Sequence, residues 1–200
     1  MSNQSSPNDN FRIAVVCSSN QNRSMEAHYL LAKRGLNVRS YGTGSCVKIP
    51  GPSQDKPNIY KFGKPYKEMY EELLRQDRHL YKRNGMLNML DRNRRTKLCP
   101  ERFQDDHEHT FDVIFTVTER VYDAVLEELN SRDATEYQPV HVININIEDN
   151  HEEATVGAFI LSDLIDQLML CEDLDDEIEV RLELFEKSLK RPILHSVAFY

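Results

Sequence analysis

The stretch from Phe11 to Ser24 constrains the fold more than any other. An apolar run, Phe11 to Val16, ends in Cys17; Ser18, Ser19, Asn20, Gln21 and Asn22 follow, then Arg23 and Ser24, and helical spacing begins at once. A short apolar run bounded by polar residues predicts a buried strand, and a strand that leads straight into a helix is the opening unit of an α/β fold. In such sheets ligands bind at the C-terminal edge of the strands. The N–H groups of residues 18–22, together with the positive end of the following helix, suit a phosphate group. The same field favours the nucleophilic thiolate of Cys17. Arg23, six positions on, can grip two phosphate oxygens with its planar fork. Ser24 can donate its hydroxyl to the sulfur and steady it as a leaving group. A cysteine and an arginine at this spacing recur by chance in many chains. Here the strand, the polar loop, Ser24 and the helix all accompany them, and together they fit a cysteine-dependent phosphatase.

Downstream, helix and strand patterns alternate. A helix is expected from Ser24 to Arg34, with Ala27, Leu30 and Leu31 on one face and Gly35 as its stop. Asn37–Tyr41 reads as a second strand, closed by Gly42-Thr43-Gly44. Two glycines without a third fall short of a dinucleotide fingerprint. The next strongly apolar strand is Phe111–Val117, well beyond the roughly 30 residues that a strand–helix–strand crossover needs. The excess reads as an inserted lobe over the site at about 46–109, within one domain spanning 11–200 and preceded by a loose polar tail at 1–10. In the lobe, Pro50-Gly51-Pro52 and Lys56-Pro57-Asn58 are turn chemistry. Pro65–Arg83 carries an apolar stripe of Tyr66, Met69, Tyr70, Leu73 and Leu74, and Met86–Leu90 reads as a short helix with a Met–Leu face. Glu119–Leu129, Glu152–Leu170 and Asp175–Leu189 follow as helices, Val140–Ile147 as a fourth strand, and Ile193–Tyr200 as a closing edge strand. The expected fold is α/β in three layers, a parallel sheet flanked by helices on both faces.

Composition narrows the function. No apolar run approaches the length of a membrane span, and Met1 to Asn10 is polar, so neither a signal peptide nor a spanning helix is expected. Cys17, Cys46, Cys99 and Cys171 lie far apart, which argues against a zinc site or a disulfide framework and for a reducing compartment. The histidines lack ligand spacing, and neither a metal nor a cofactor is expected. The net charge of −8 speaks against non-specific binding to nucleic acid.

A serine phosphate ester has an alkoxide leaving group, so a proton must reach the departing oxygen. The fourth strand ends in Asn146-Ile147-Glu148-Asp149-Asn150, which brings Glu148 and Asp149 to the edge that carries Cys17. Either a catalytic acid or a cap for the helix that follows would suit Asp149.

CSSNQNRSMEAH, YGTGSCVKIPGP, DKPNIY, GMLNMLDRNRR, PERFQ, ERVYDAV, PVHVINI and EDNHEEA run from near Phe11 toward the terminal HSVAFY. In these blocks the chain resembles the RNA polymerase II C-terminal-domain phosphatases of transcript 3′-end processing, relatives of the low-molecular-weight tyrosine phosphatases. The resemblance implies a nuclear, metal-independent phosphoserine phosphatase acting on serine followed by proline in the cis form, through a phosphocysteine intermediate. It implies Cys17 as nucleophile, Arg23 and the 18–22 amides as phosphate ligands, and Asp149 as general acid. The family pattern there is Asp-x-x-Asp-Asn, and this chain has Asn146 in place of the first Asp. The partners implied are the phosphorylated polymerase repeat peptide and a symplekin-like scaffold of the cleavage and polyadenylation complex, without direct nucleic-acid contact and without a membrane. A cis Ser–Pro bond is a minority state, about 10–30% in flexible peptides, so a bent apolar slot is needed. Pro50, Met86 and Met89 are the candidates to line it.

Other readings stay open at this level. A phosphotyrosine phosphatase or an arsenate reductase could use the same scaffold, with Cys46 a remote resolving cysteine; an inactive phosphopeptide-binding scaffold is a third. Arg75 to Arg102 holds nine Lys or Arg against three Asp or Glu, which reads as a solvated basic face, an import signal or a guide for phosphates. The acidic run from Glu172 to Glu186 reads as the outer face of the last helix.

Overall fold

The computed structural model describes residues 11–53, 55–133 and 137–200. The tail expected at residues 1–10 lies outside them. In chain order the elements are β1 (Ile13–Cys17), α1 (Arg23–Lys33), β2 (Val38–Gly42), β3 (Val47–Ile49), β4 (Asn58–Tyr60), α2 (Tyr66–Arg83), α3 (Met86–Thr96), β5 (Val113–Thr116), α4 (Glu119–Ser131), β6 (Pro139–Ile145), α5 (His151–Leu168), α6 (Leu174–Leu189) and β7 (Ile193–Phe199).

The main sheet has the order β2-β1-β5-β6-β7. The first four strands are parallel, with Ile13 opposite Val38 on one side and Val113 on the other. β7 runs antiparallel to β6 at the edge. Every residue of β1 is buried, because a strand covered on both faces needs apolar side chains pointing both ways. Ile13 and Val15 pack with α1, α5 and α6 through Ala27, Leu31, Leu161 and Ile178. Ala14 and Val16 point into the opposite layer, beside Val121, Val125 and Leu129 of α4. The chain leaves β1 toward β2 on one side and later returns to β5 on the other. The C-terminal end of β1 is therefore the switch point at which a crevice opens.

A second small sheet pairs β3 with β4, antiparallel. Pro50-Gly51-Pro52 follow β3 and Lys56-Pro57 lead into β4, where the sequence placed turn chemistry. With α2 and α3 this sheet buries Val47, Ile49, Tyr60, Tyr66, Met69, Leu73, Tyr81, Leu87, Met89 and Leu90 in a core of its own, into which Met25 of α1 inserts. Segment 47–96 is thus seated on the first helix after Cys17.

Three lobe features depart from the sequence reading. The hairpin strands were not expected; at three residues each they are too short for a period-2 signal. The helix from Tyr66 breaks at Asp77 (φ −162°, ψ 95°), where the Asp77 carboxylate accepts the Leu80 N–H at 2.9 Å and caps the second half. The helix from Met86 runs to Thr96 rather than stopping at Leu90, and Arg92 and Asn93 on it are buried, not part of a solvated basic face.

Candidate active site

The loop from Ser18 to Asn22 joins β1 to α1, and its carbonyls are tied down on the outer side. The Thr43 N–H donates to the Cys17 carbonyl at 3.0 Å, and Gly44 N–H to that of Ser18 at 2.9 Å. The Tyr66 hydroxyl donates to the Asn20 carbonyl. Asn93 Nδ2 donates to the Gln21 carbonyl at 2.7 Å, and Arg92 Nη2 reaches the Gln21 and Asn22 carbonyls at 3.0 and 3.3 Å. With the carbonyls held outward, the planar peptide units turn their N–H groups toward the crevice. Among the described residues, the Gln21 and Asn22 amides donate to no protein acceptor. This is the nest-like geometry that receives an anion.

Asn20 sits in the left-handed region at φ 50°, fully buried. Its side chain holds it there: Nδ2 donates to Ser24 Oγ at 3.0 Å and Ser40 Oγ at 3.1 Å, and Oδ1 accepts the Glu101 N–H at 3.0 Å. Asparagine tolerates this backbone better than most residues do. The two glycines at and just past the end of β2, Gly42 and Gly44, have a related purpose. A Cβ at Gly42 would meet the Ser18 carbonyl oxygen at 2.7 Å, and one at Gly44 would meet it at 2.9 Å. They are glycines because β2 must press against the loop backbone, not because a dinucleotide binds.

The Cys17 thiol is buried at the centre. Its sulfur lies 3.0 Å from Ser24 Oγ and accepts the Asn20 N–H at 3.2 Å. Arg23 is 7% exposed; Nη1 donates to the Ile147 carbonyl at 2.8 Å, and Nη2 reaches Asp149 Oδ2 at 3.3 Å. The other Asp149 oxygen accepts Asn22 Nδ2 at 3.0 Å. Cys17, Arg23, Ser24 and Asp149, which the sequence reading grouped, do meet at one edge. The helix-capping alternative for Asp149 fails, since the cap of α5 is Asn150, whose Oδ1 accepts the Glu153 N–H at 2.8 Å. Glu148 turns to Asn150. Asn146 is engaged with Glu119 and Asn144.

The lobe is pinned to this loop at Ser19, whose hydroxyl accepts the Lys48 N–H at 3.3 Å, and at Gln21, whose Nε2 donates to the Lys48 carbonyl at 3.0 Å. Between hairpin, α3 and the start of α5 lies a cleft of about 740 Å³, walled by Pro50, Met86 and Met89 and floored by Gln21, Asn22 and Asp149. The three groove candidates are thus brought together beside the loop.

Sequence reading missed Tyr66, Arg92 and Asn93 behind the loop. It also missed Ser40 and His28, whose Nδ1 lies 2.8 Å from Ser40 Oγ. Burial, with Lys97 and Arg39 nearby, brings the His28 pKa down to about 4. The burial of Tyr66, close to Cys17, raises its hydroxyl well above the usual value, so it stays a donor. Among the described residues, no helix is long and apolar enough to cross a membrane, and no group of three or more His, Cys, Asp or Glu is arranged to hold a metal ion.

Comparison with known proteins gives a consistent picture. The family described as Ssu72-like protein matches residues 11–200. The RNA polymerase II C-terminal domain phosphatase SSU72 of Danio rerio is 57% identical over 189 residues, covering 94% of this chain and 97% of the relative. Its Homo sapiens counterpart is 56% identical over 194 residues, covering 97% and 100%. A crystal structure of D. melanogaster Ssu72 with Symplekin, bound to a cis peptidomimetic CTD phospho-Ser5 peptide, superposes with a TM-score of 0.92 at 51% identity, covering 96% of this chain and 100% of that one.

Proposed function

The chain belongs to the Ssu72-like family and is an RNA polymerase II C-terminal-domain phosphatase; on that premise we propose how its residues carry out the reaction, on which substrate and where. The substrate is phosphoserine followed by a cis proline in the polymerase repeat. The apolar cleft beside the loop supports this, and the D. melanogaster relative binds a cis peptidomimetic. The protein works in the nucleus, where that polymerase acts, and a symplekin-like scaffold is its proposed partner, as in the same relative's complex. The domain is a single unit over 11–200, with the lobe at about 46–109 forming one wall of the groove.

The Cys17 thiolate attacks phosphorus in line while the P–O bond to serine breaks. The loop amides and the Arg23 fork hold the equatorial oxygens, where charge is greatest. Asp149, as the acid, gives its proton to the departing serine oxygen. Phosphocysteine results. Water then attacks phosphorus, Asp149 takes its proton, the P–S bond breaks, and the Ser24 hydroxyl steadies the sulfur as it leaves. The observation that carries this reading is the thiol itself, 3.0 Å from Ser24 at the centre of a loop whose amides turn inward.

The test is phosphate release from phosphoserine-proline, phosphothreonine-proline and phosphotyrosine peptides, with and without a chelator, for the wild type and Cys17→Ser. Turnover on serine-proline that ignores the chelator and vanishes in Cys17→Ser, while the variant still binds peptide, is the expected result. A variant that keeps its turnover would overturn the mechanism. A wild type that binds but does not turn over would make the chain a phosphopeptide scaffold.

A further inference from the structure

Against the carbonyls of the phosphate-binding loop stands a charged pair with no place in the reaction above. Arg92 and Glu26 are paired with side chains only 10% and 16% exposed. Burial lowers the Arg92 pKa from the usual arginine value, and the Glu26 carboxylate opposes that shift. A buried ion pair is often matched or bettered in stability by apolar packing, so stability alone is a poor reason for this one.

Its hydrogen bonds offer a better reason. Arg92 Nη2 donates to the carbonyls of Gln21 and Asn22, at 3.0 and 3.3 Å, and Asn93 Nδ2 to that of Gln21 at 2.7 Å. Asn93 is fully buried, and its Oδ1 accepts Arg92 Nε at 3.0 Å and Nη2 at 2.8 Å, so the two side chains brace each other. In a trans peptide the C=O of one residue and the N–H of the next point in opposite directions from one rigid plane. Turning the Gln21 carbonyl outward therefore turns the Asn22 N–H inward; the Asn22 carbonyl, which also accepts the Glu26 N–H of α1 at 2.9 Å, does the same for the Arg23 N–H.

We infer that Arg92 and Asn93 are positioning residues for phosphoryl transfer: from the inserted lobe they fix the Gln21–Asn22 peptide plane of the phosphate-binding loop and brace the Asn22–Arg23 plane that α1 also holds, which aims the Asn22 and Arg23 amides at the transferred group. The inference rests on the phosphatase reading and deepens it. The guanidinium also adds positive charge behind the loop, partly offset by Glu26. The helix that carries Arg92 and Asn93 is the one whose first turn supplies Met86 and Met89 to the cleft. One element thus sets both the substrate wall and the loop's rear support.

The experiment compares Arg92→Lys and Asn93→Asp with the wild type on a nitrophenyl phosphate and a phosphoserine-proline peptide, with melting temperature measured alongside. Arg92→Lys keeps the charge beside Glu26 but cannot span both carbonyls. Asn93→Asp keeps the shape but sets a carboxylate oxygen against the Gln21 carbonyl. Arg92→Lys is expected to melt near the wild type and Asn93→Asp below it, since a carboxylate then occupies a fully buried site, and both, as folded protein, to lose kcat by about 10- to 100-fold on both substrates. Peptide KM should rise by less than kcat falls, because the cleft is intact and only the loop's grip on the phosphate is loosened. Added guanidinium ion should restore part of the kcat of Arg92→Ala but none of that of Cys17→Ser. If Arg92→Lys does not fold, Asn93→Asp decides the matter. Wild-type kcat in the folded variants, or rate losses that only track loss of folded protein, would overturn the inference. A wild type that releases no phosphate would overturn the phosphatase reading instead.

Discussion

The Asp149 carboxylate lies 3.3 Å from the Arg23 guanidinium, one partner half exposed and the other buried. In the resting site these two groups engage each other. On the mechanism proposed above, a phosphate entering the loop would take the Arg23 fork for itself and release Asp149 to face the oxygen of the leaving group. Partly exposed ion pairs are worth about 0–1 kcal/mol, so this exchange opposes substrate binding only weakly.

The acid can therefore be tested through the leaving group. Nitrophenolate departs without a proton and a serine alkoxide does not. Asp149→Asn should lose about 10²–10⁴-fold on phosphoserine peptide, with a much smaller loss in the burst of nitrophenol from an aryl phosphate. Glu148→Gln should keep both activities, since Glu148 turns toward Asn150. Serine activity that is lost in Glu148→Gln and retained in Asp149→Asn would reverse the assignment.

The cleft separates peptide from small-molecule turnover. Pro50 is exposed and Met86 partly buried. Replacing either with Ala should lower kcat/KM for the peptide by about 10-fold and leave aryl phosphate hydrolysis unchanged. Met89 is 3% exposed within the lobe core, so Met89→Ala should also destabilise the protein, by about 2–5 kcal/mol. Equal losses on both substrates for Pro50→Ala and Met86→Ala would mean that these side chains hold the fold rather than the peptide.

His28 gives stability a pH dependence with a definite sign. Its folded pKa, brought to about 4 by burial and by nearby Lys97 and Arg39, is below its ordinary value of 6.5. As pH falls, the unfolded chain takes the proton first. The stability that this neutral ring confers is thus complete above about pH 6.5 and drains away as pH falls through 4, by up to about 3 kcal/mol. Urea unfolding across that window should show a shallower pH slope for His28→Gln than for the wild type. Identical slopes would remove His28 from the account.

The legible parts of this chain were those where one strong local signal acts alone. The run into Cys17, the apolar stripes of the long helices and the turn chemistry at Pro50 and Pro57 each declare themselves within a few residues. Arg92 and Asn93 do not. In sequence they belong to a polar, basic run, and only helix continuation past Leu90 turns them inward, against a loop that precedes them by some seventy positions. The break at Asp77 carries no glycine or proline to announce it. Gly42 and Gly44 were visible, but their reason, the approach of the Ser18 carbonyl, exists only when β2 lies beside β1.

The support that segment 47–96 gives to the Cys17 loop has a consequence for how this protein comes into being. During synthesis the cysteine, the arginine and all five residues between them emerge early, yet Tyr66, Arg92 and Asn93 have still to be made. Contacts so distant along the chain form late, because closing a long loop costs entropy before any contact repays it. A nascent or half-folded chain therefore carries the nucleophile without its backing. Dephosphorylating power should arise as a late property of the completed polypeptide, after the lobe has closed on the first helix.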